Sequence, residues 1–194
     1  MNLTGFLNDQ KPYQVEGLSH DELEKVFQNA EEISRRHTPS LVYNSKPVIK
    51  LRRDDRESIQ RKLEVAEELG TPETEILEQV GDYTTVAQER LTREEPDEEK
   101  LRDTARYIDQ AIKHGTIPMS GLDDYLYSDG ELLYIDATDI DSFNPVTREN
   151  LEGSLNSLSI SAAANTELDQ QEALEMINQE ITDAKGSEVL KNLN

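Results

Sequence analysis

The chain contains no cysteine, no tryptophan and only three histidines. Without cysteine there is neither a disulfide nor a thiolate-held zinc site. His20, His37 and His114 lie too far apart in sequence to give a His-x-x-x-His ligand pair on one helical face. No apolar run of about 18 residues occurs, so no membrane-spanning helix is expected. Met1 to Gln10 lacks the basic start and apolar stretch of a secretory signal. The expected location is therefore the cytoplasm, that of the host if the protein is viral. Hydrophobic residues make up 35% and aromatic residues 5%, so the core must rest mainly on Leu, Ile and Val.

Positive charge is also scarce. Asp and Glu number 41 against 20 Lys and Arg, a formal net charge of −21. Such a surface repels phosphate backbones and anionic headgroups, which argues against nucleic-acid or membrane partners. The acids are spread along the whole chain rather than gathered in a tail. Molar salt shortens the reach of charge repulsion to about 3 Å. The distribution therefore favours adaptation to a salty cytoplasm, as in a salt-loving archaeon or one of its viruses, over a surface for one basic protein partner. Molar KCl is accordingly expected to raise the melting temperature substantially; a salt-insensitive melting curve would contradict this.

Along the chain, residues 1–18 read as an irregular lead-in broken by Gly5, Pro12 and Gly17. Ser19 and Glu22 form a capping-box pattern for a helix running to about Arg36. Leu41-Val42-Tyr43 and Val48 to Leu51 flank a turn and predict a hairpin. Asp54 and Asp55 open a second helix, with Ile59, Leu63 and Ala66 inward, that stops at Gly70. Ile76 to Val80 and Tyr83 to Leu91 predict a second hairpin around Gly81-Asp82, and Asp97 to Lys113 a third helix. A third hairpin follows around Ser128-Asp129-Gly130, then a short helix in 145–160 and a longer one in 166–185. Grouped hairpins and helices indicate an α+β fold built on a small antiparallel sheet. The expected division is a lead-in over 1–18, an α+β domain over 19–144 and a helical C-terminal segment over 145–194.

The order over residues 40–140 resembles the protein-kinase-like fold, in its small aminoglycoside-phosphotransferase or archaeal kinase-like form, with a truncated helical lobe. Val48-Ile49-Lys50 is similar to the family's strand lysine, which contacts ATP phosphates. The helix after it offers Glu57, Glu64, Glu67 and Glu68 as partners for Lys50; Glu64 is the preferred one. Tyr83 to Leu91 resembles the strand leading to the adenine-holding hinge, and the helix ending at His114-Gly115 resembles the one before the catalytic loop. The hairpin ending in Ile135-Asp136 resembles the one delivering a metal-binding aspartate. The resemblance implies ATP and Mg²⁺ as cofactors, with Asp136 and Asp124 as metal ligands, Asp124 standing in for the loop asparagine.

The chain departs from the family pattern in three places. The position of the catalytic aspartate holds Met119, or Pro118 if Asp123 is the ligand, and neither accepts a proton. The loop reads His114-Gly115-Thr116 where the family has His-Gly-Asp, and Ser40 to Pro47 contains no glycine for a phosphate loop. No catalytic residue is therefore assigned, and any activity would be an ATP-dependent phosphotransfer by a divergent or degenerate (pseudokinase) domain. The alternative is a non-enzymatic structural or adaptor protein, such as a virus assembly component. Plainer readings stand beside each site residue. Lys50 can be an edge-strand residue, Asp136 a turn former, and His114 a helix C-terminal residue favoured by the helix dipole. Arg52-Arg53 can pair with surface acids, and Glu94 to Glu99 can be a solvated linker and helix start.

Overall fold

The computed structural model describes residues 31–34, 40–42, 48–52, 54–80, 83–89, 91–92, 95–138 and 142–193. The lead-in, the start of the first expected helix, the turns at 44–47 and 81–82, and Asp139 and Asp141 lie outside these residues. The fold is mixed α+β. Contacts divide it into two compact units. The first comprises the described residues of 1–65, 71–91 and 138–140, the second those of 66–70, 92–137 and 141–194.

The first unit holds an antiparallel five-stranded sheet. Its strands are β1 (Glu31–Ser34), β2 (Ser40–Val42), β3 (Val48–Arg52), β4 (Thr74–Val80) and β5 (Tyr83–Gln88), in the order β1-β2-β3-β5-β4. Helix α1 (Arg56–Leu69) connects β3 to β4. Asp55 caps it, accepting the Ser58 N–H at 2.8 Å, and Gly70 ends it at φ +105°. Ile59 and Leu63 of α1 bury against Ile76 and Val86 of the sheet. Directly paired residues share a sheet face, so Lys50, which pairs with Val86, lies on the face that α1 covers.

One expectation is corrected here. Glu31 to Ser34, assigned from sequence to the end of a helix, is a strand, with Glu31 opposite Val42. Ile33 satisfies the helical period but equally serves a strand. Antiparallel pairing with the neighbouring strand β2 overrides the weak local helix propensity.

In the second unit, α2 (Glu98–Lys113) starts at Asp97, whose carboxylate accepts the Lys100 N–H at 2.8 Å. Its residues Leu101, Ala105, Ile108 and Ile112 form the buried stripe the spacing predicted. Two small antiparallel pairs follow: β6 (Thr116–Ile117) with β9 (Asn144–Pro145), and β7 (Tyr125–Ser128) with β8 (Glu131–Tyr134). A 3-10 turn, Leu122–Asp124, leads into β7. The β7–β8 turn passes through Asp129 at φ +52° and Gly130 at φ +84°, which explains the Asp-Gly pair.

The C-terminal helices are α3 (Arg148–Asn165), α4 (Gln170–Glu180) and α5 (Ala184–Leu193). The expected helical C-terminal segment, 145–194, shares one core with α2: Leu151, Leu155, Leu158, Ile177 and Val189 cluster with Leu101 and Ile108. The helix expected in 145–160 is longer, at 18 residues, and the one expected over 166–185 is two helices. The break has a physical cause. The buried carboxylate of Asp109 accepts the N–H groups of Thr182 and Asp183, each at 2.8 Å, which satisfies them outside a helix. Asp183 then accepts the Lys185 N–H at 2.8 Å and starts α5. No helix among the described residues is long and apolar enough to cross a membrane.

Candidate functional site

Lys50 sits on β3, the middle strand of its sheet, and is only 4% exposed. It is not an edge-strand residue. Burying an ammonium is costly unless its surroundings compensate the charge, so the position is not that of an ordinary surface lysine. Arg52, two residues on and on the same sheet face, is 2% exposed and donates from Nε to the Thr138 hydroxyl at 3.0 Å. The sequence reading placed this arginine among surface ion pairs, and that is corrected: it is interior. The pairing of β3 with β5 sets Arg52 opposite Thr84 and buries it.

Glu64 does not share the buried side of α1. Ile59, Leu63 and Ala66 face inward, while Gln60, Glu64 and Glu67 are exposed, as is Glu57 in the first turn. One residue along a helix turns the side chain by roughly 100°, enough to carry Glu64 off the stripe that Leu63 follows. Glu68 is also exposed and lies 3.2 Å from Nδ1 of His114. His114 itself is the C-cap of α2, as the plain reading had it.

Asp124 and Asp136 are brought to the same end of one hairpin. Tyr125 pairs with Tyr134 at the open end of β7–β8, and the Ile135 N–H donates to the Asp124 carbonyl at 2.9 Å. Burial first, then Tyr125 and the charges of Asp136 and Asp124, push the Tyr134 phenol well above its ordinary value. Both carboxylates are therefore within electrostatic reach of one ring. Asp124 is held in place by the Gly121 N–H, which donates to its Oδ2 at 2.7 Å.

Under this end of the hairpin lies an aromatic cluster. Tyr125 meets Tyr107 edge-on at 5.2 Å between ring centroids and Tyr134 at 5.1 Å, while Phe143 meets Tyr134 edge-on at 5.6 Å. The hydroxyls are also used: Tyr125 bonds Ser120 at 2.7 Å, Tyr107 donates to the Gly70 carbonyl at 3.2 Å, and Tyr127 donates to Asp103 at 2.6 Å. The cluster gives the two aspartates a rigid base.

The loop before Asp124 is pinned by α3. Ser154 donates to the Pro118 carbonyl at 2.7 Å, and Ser161 accepts the Leu122 N–H at 2.9 Å. Sequence reasoning missed both serines. Their only signal was a spacing of seven residues on the same helical face as Leu151, Leu155 and Leu158. Within the loop, Met119 is 39% exposed, and Pro118 and Met119 offer no proton acceptor from their side chains.

The donor set suits a hard cation that brings its own ligands. Among the described residues, no group of three or more His, Asp or Glu side chains could hold a metal ion. Mg²⁺ does not require one: it is commonly held by one or two carboxylates with substrate phosphates and waters completing its shell. Asp124 and Asp136 are two carboxylate residues at one end of the hairpin. No family model and no protein of curated function matches the chain.

Proposed function

We propose that the chain is a kinase-like protein that binds ATP with Mg²⁺ and is degenerate in phosphoryl transfer. The observation that carries this reading is the placement of Asp124 and Asp136 at one end of the β7–β8 hairpin. Each can supply oxygen to Mg²⁺, and the phosphates would complete the coordination. The sequence resemblance of Val48-Ile49-Lys50 to the family's strand lysine keeps Lys50 in the proposal as the phosphate-contacting cation. The order of elements adds to it: strand lysine, helix α1, paired strands, helix α2, then the hairpin bearing the aspartates. Bound Mg²⁺ would neutralise phosphate charge. The protein's own groups would bind and orient.

Transfer itself lacks a component. The family's proton-accepting aspartate has no counterpart at Pro118 or Met119, and the Pro118 carbonyl is occupied by Ser154. That observation favours a second reading, a non-enzymatic structural or adaptor role with a protein partner. The acidic surface and halophilic or viral setting remain part of the proposal on the strength of the −21 charge.

The test is calorimetric titration of ATP with Mg²⁺ into the full chain in molar KCl. Saturable binding is expected, and Lys50→Ala should weaken it about 10- to 100-fold, the range of one charge-assisted bond of about 1.5–3 kcal/mol. A folded parent that binds no nucleotide, or a folded variant that binds as well as the parent, would overturn the nucleotide reading. The adaptor role would then stand.

A further inference from the structure

We infer that Ser161, on α3, is a positioning residue for Asp124. This rests on the nucleotide and metal reading above, but it concerns a helix that the kinase resemblance does not reach. The connection runs through the loop. Ser161 Oγ accepts the Leu122 N–H at 2.9 Å. The adjacent Gly121 passes so close that an added Cβ would lie 2.9 Å from the same oxygen and 3.2 Å from Ser161 Cβ. Gly121 in turn donates its N–H to Asp124 Oδ2 at 2.7 Å. The serine therefore sets the height of the peptide that aims the carboxylate.

The neighbouring hydroxyls of the loop bond elsewhere. Leu122 is fully buried in the helical core. Ser154 fixes the loop at Pro118, four residues before Leu122. Ser120 is committed to Tyr125 at 2.7 Å. Ser161 alone among these hydroxyls bonds the 3-10 turn that bears Asp124.

Mg²⁺ demands near-ideal octahedral geometry. A small tilt of one carboxylate is therefore felt in metal affinity before it is felt in nucleotide affinity. Groups bonded directly to a ligating carboxylate typically contribute about 10- to 100-fold in metal affinity, and Ser161 acts one peptide further out, so its effect falls at the low end of that range.

The test compares the full-chain parent, Ser161→Ala and Ser157→Ala, the last altering an exposed serine on the same helix. ATP is titrated into each in molar KCl, with Mg²⁺ and without it. The affinity gained on adding Mg²⁺ is expected to fall about 10-fold in Ser161→Ala and to be unchanged in Ser157→Ala. Affinity without Mg²⁺ should be the same in all three. The Leu122 amide of Ser161→Ala should also exchange its proton faster, because it has lost its acceptor.

A parental Mg²⁺ gain in Ser161→Ala overturns the inference. So does an equal loss with and without Mg²⁺, which would mark Ser161 as a general packing residue. If the parent binds ATP in neither condition, the nucleotide reading fails and takes this inference with it. That outcome is distinct from failure of the positioning role alone.

Discussion

Replacing Tyr125 by alanine is expected to destabilise the second unit by about 3–5 kcal/mol, the range for deleting a large buried aromatic ring. Tyr125 is fully buried. It contacts Tyr107 edge-on at 70° and Tyr134 at a 31° tilt, and such pairs contribute about 0.5–1.5 kcal/mol each beyond their buried area. The β7–β8 pair has only two strands, and a two-stranded hairpin is marginal without packing against a hydrophobic layer. Tyr125→Phe keeps the ring and removes the hydroxyl. It leaves Ser120, itself 2% exposed, without that partner, at an expected cost of about 1–2 kcal/mol. Urea denaturation of the three proteins separates the two contributions. An alanine variant no weaker than the phenylalanine variant would show that the ring contacts contribute nothing. Because the hairpin holds Asp124 and Asp136 at its open end, Tyr125→Ala should also abolish any Mg²⁺-dependent nucleotide binding.

The elements that were legible in the sequence are those fixed by neighbours in the chain. Asp55 and Gly70 bound α1, Asp97 starts α2, and Asp129-Gly130 turns β7 into β8. Each depends on a capping oxygen or a positive φ within a few residues, and such chemistry can be read locally. What the sequence hid depends on distant partners. Interior Arg52 bonds a threonine 86 residues away, Ser161 acts on a peptide 39 residues away, and Asp109 breaks a helix 73 residues away. No local pattern distinguishes these residues from surface polar ones. Sheet order is similar. The β4–β5 hairpin follows from its sequence, whereas the insertion of β5 beside β3 is a long-range pairing. That insertion makes β3 an interior strand and Lys50 a buried residue. Glu64 shows a different limit. Its place on α1 was legible, but the apolar stripe is narrow enough that one position separates buried Leu63 from exposed Glu64.

Asp109 carries the other large expected effect, and its dependence on pH gives a sharper test than the substitution alone. The residue is 4% exposed on α2. Its Oδ1 accepts the N–H groups of Thr182 and Asp183, and its Oδ2 accepts the Thr182 hydroxyl at 2.7 Å and the Lys113 ammonium at 2.5 Å. Burial pushes the carboxyl up, but the bonds from Lys113, Asp183 and Thr182 outweigh it and hold the group below its ordinary value. Asp109→Ala leaves those donors without their acceptor. Thr182 and Lys113 reach solvent and recover part of the loss, so a cost of about 2–3 kcal/mol is expected at pH 7. The sign of the pH dependence follows from the depressed folded value. The stabilisation is fully present above the unfolded pKa, about 3.9 for aspartate, and is lost as pH falls through the lower folded value. The gap in urea stability between parent and Asp109→Ala should therefore be constant from about pH 7 to 5 and shrink below about pH 4. A gap that persists undiminished in acid would mean that the side chain acts through its volume rather than its charge. The break between α4 and α5 would then need a cause other than the carboxylate that accepts its N–H groups.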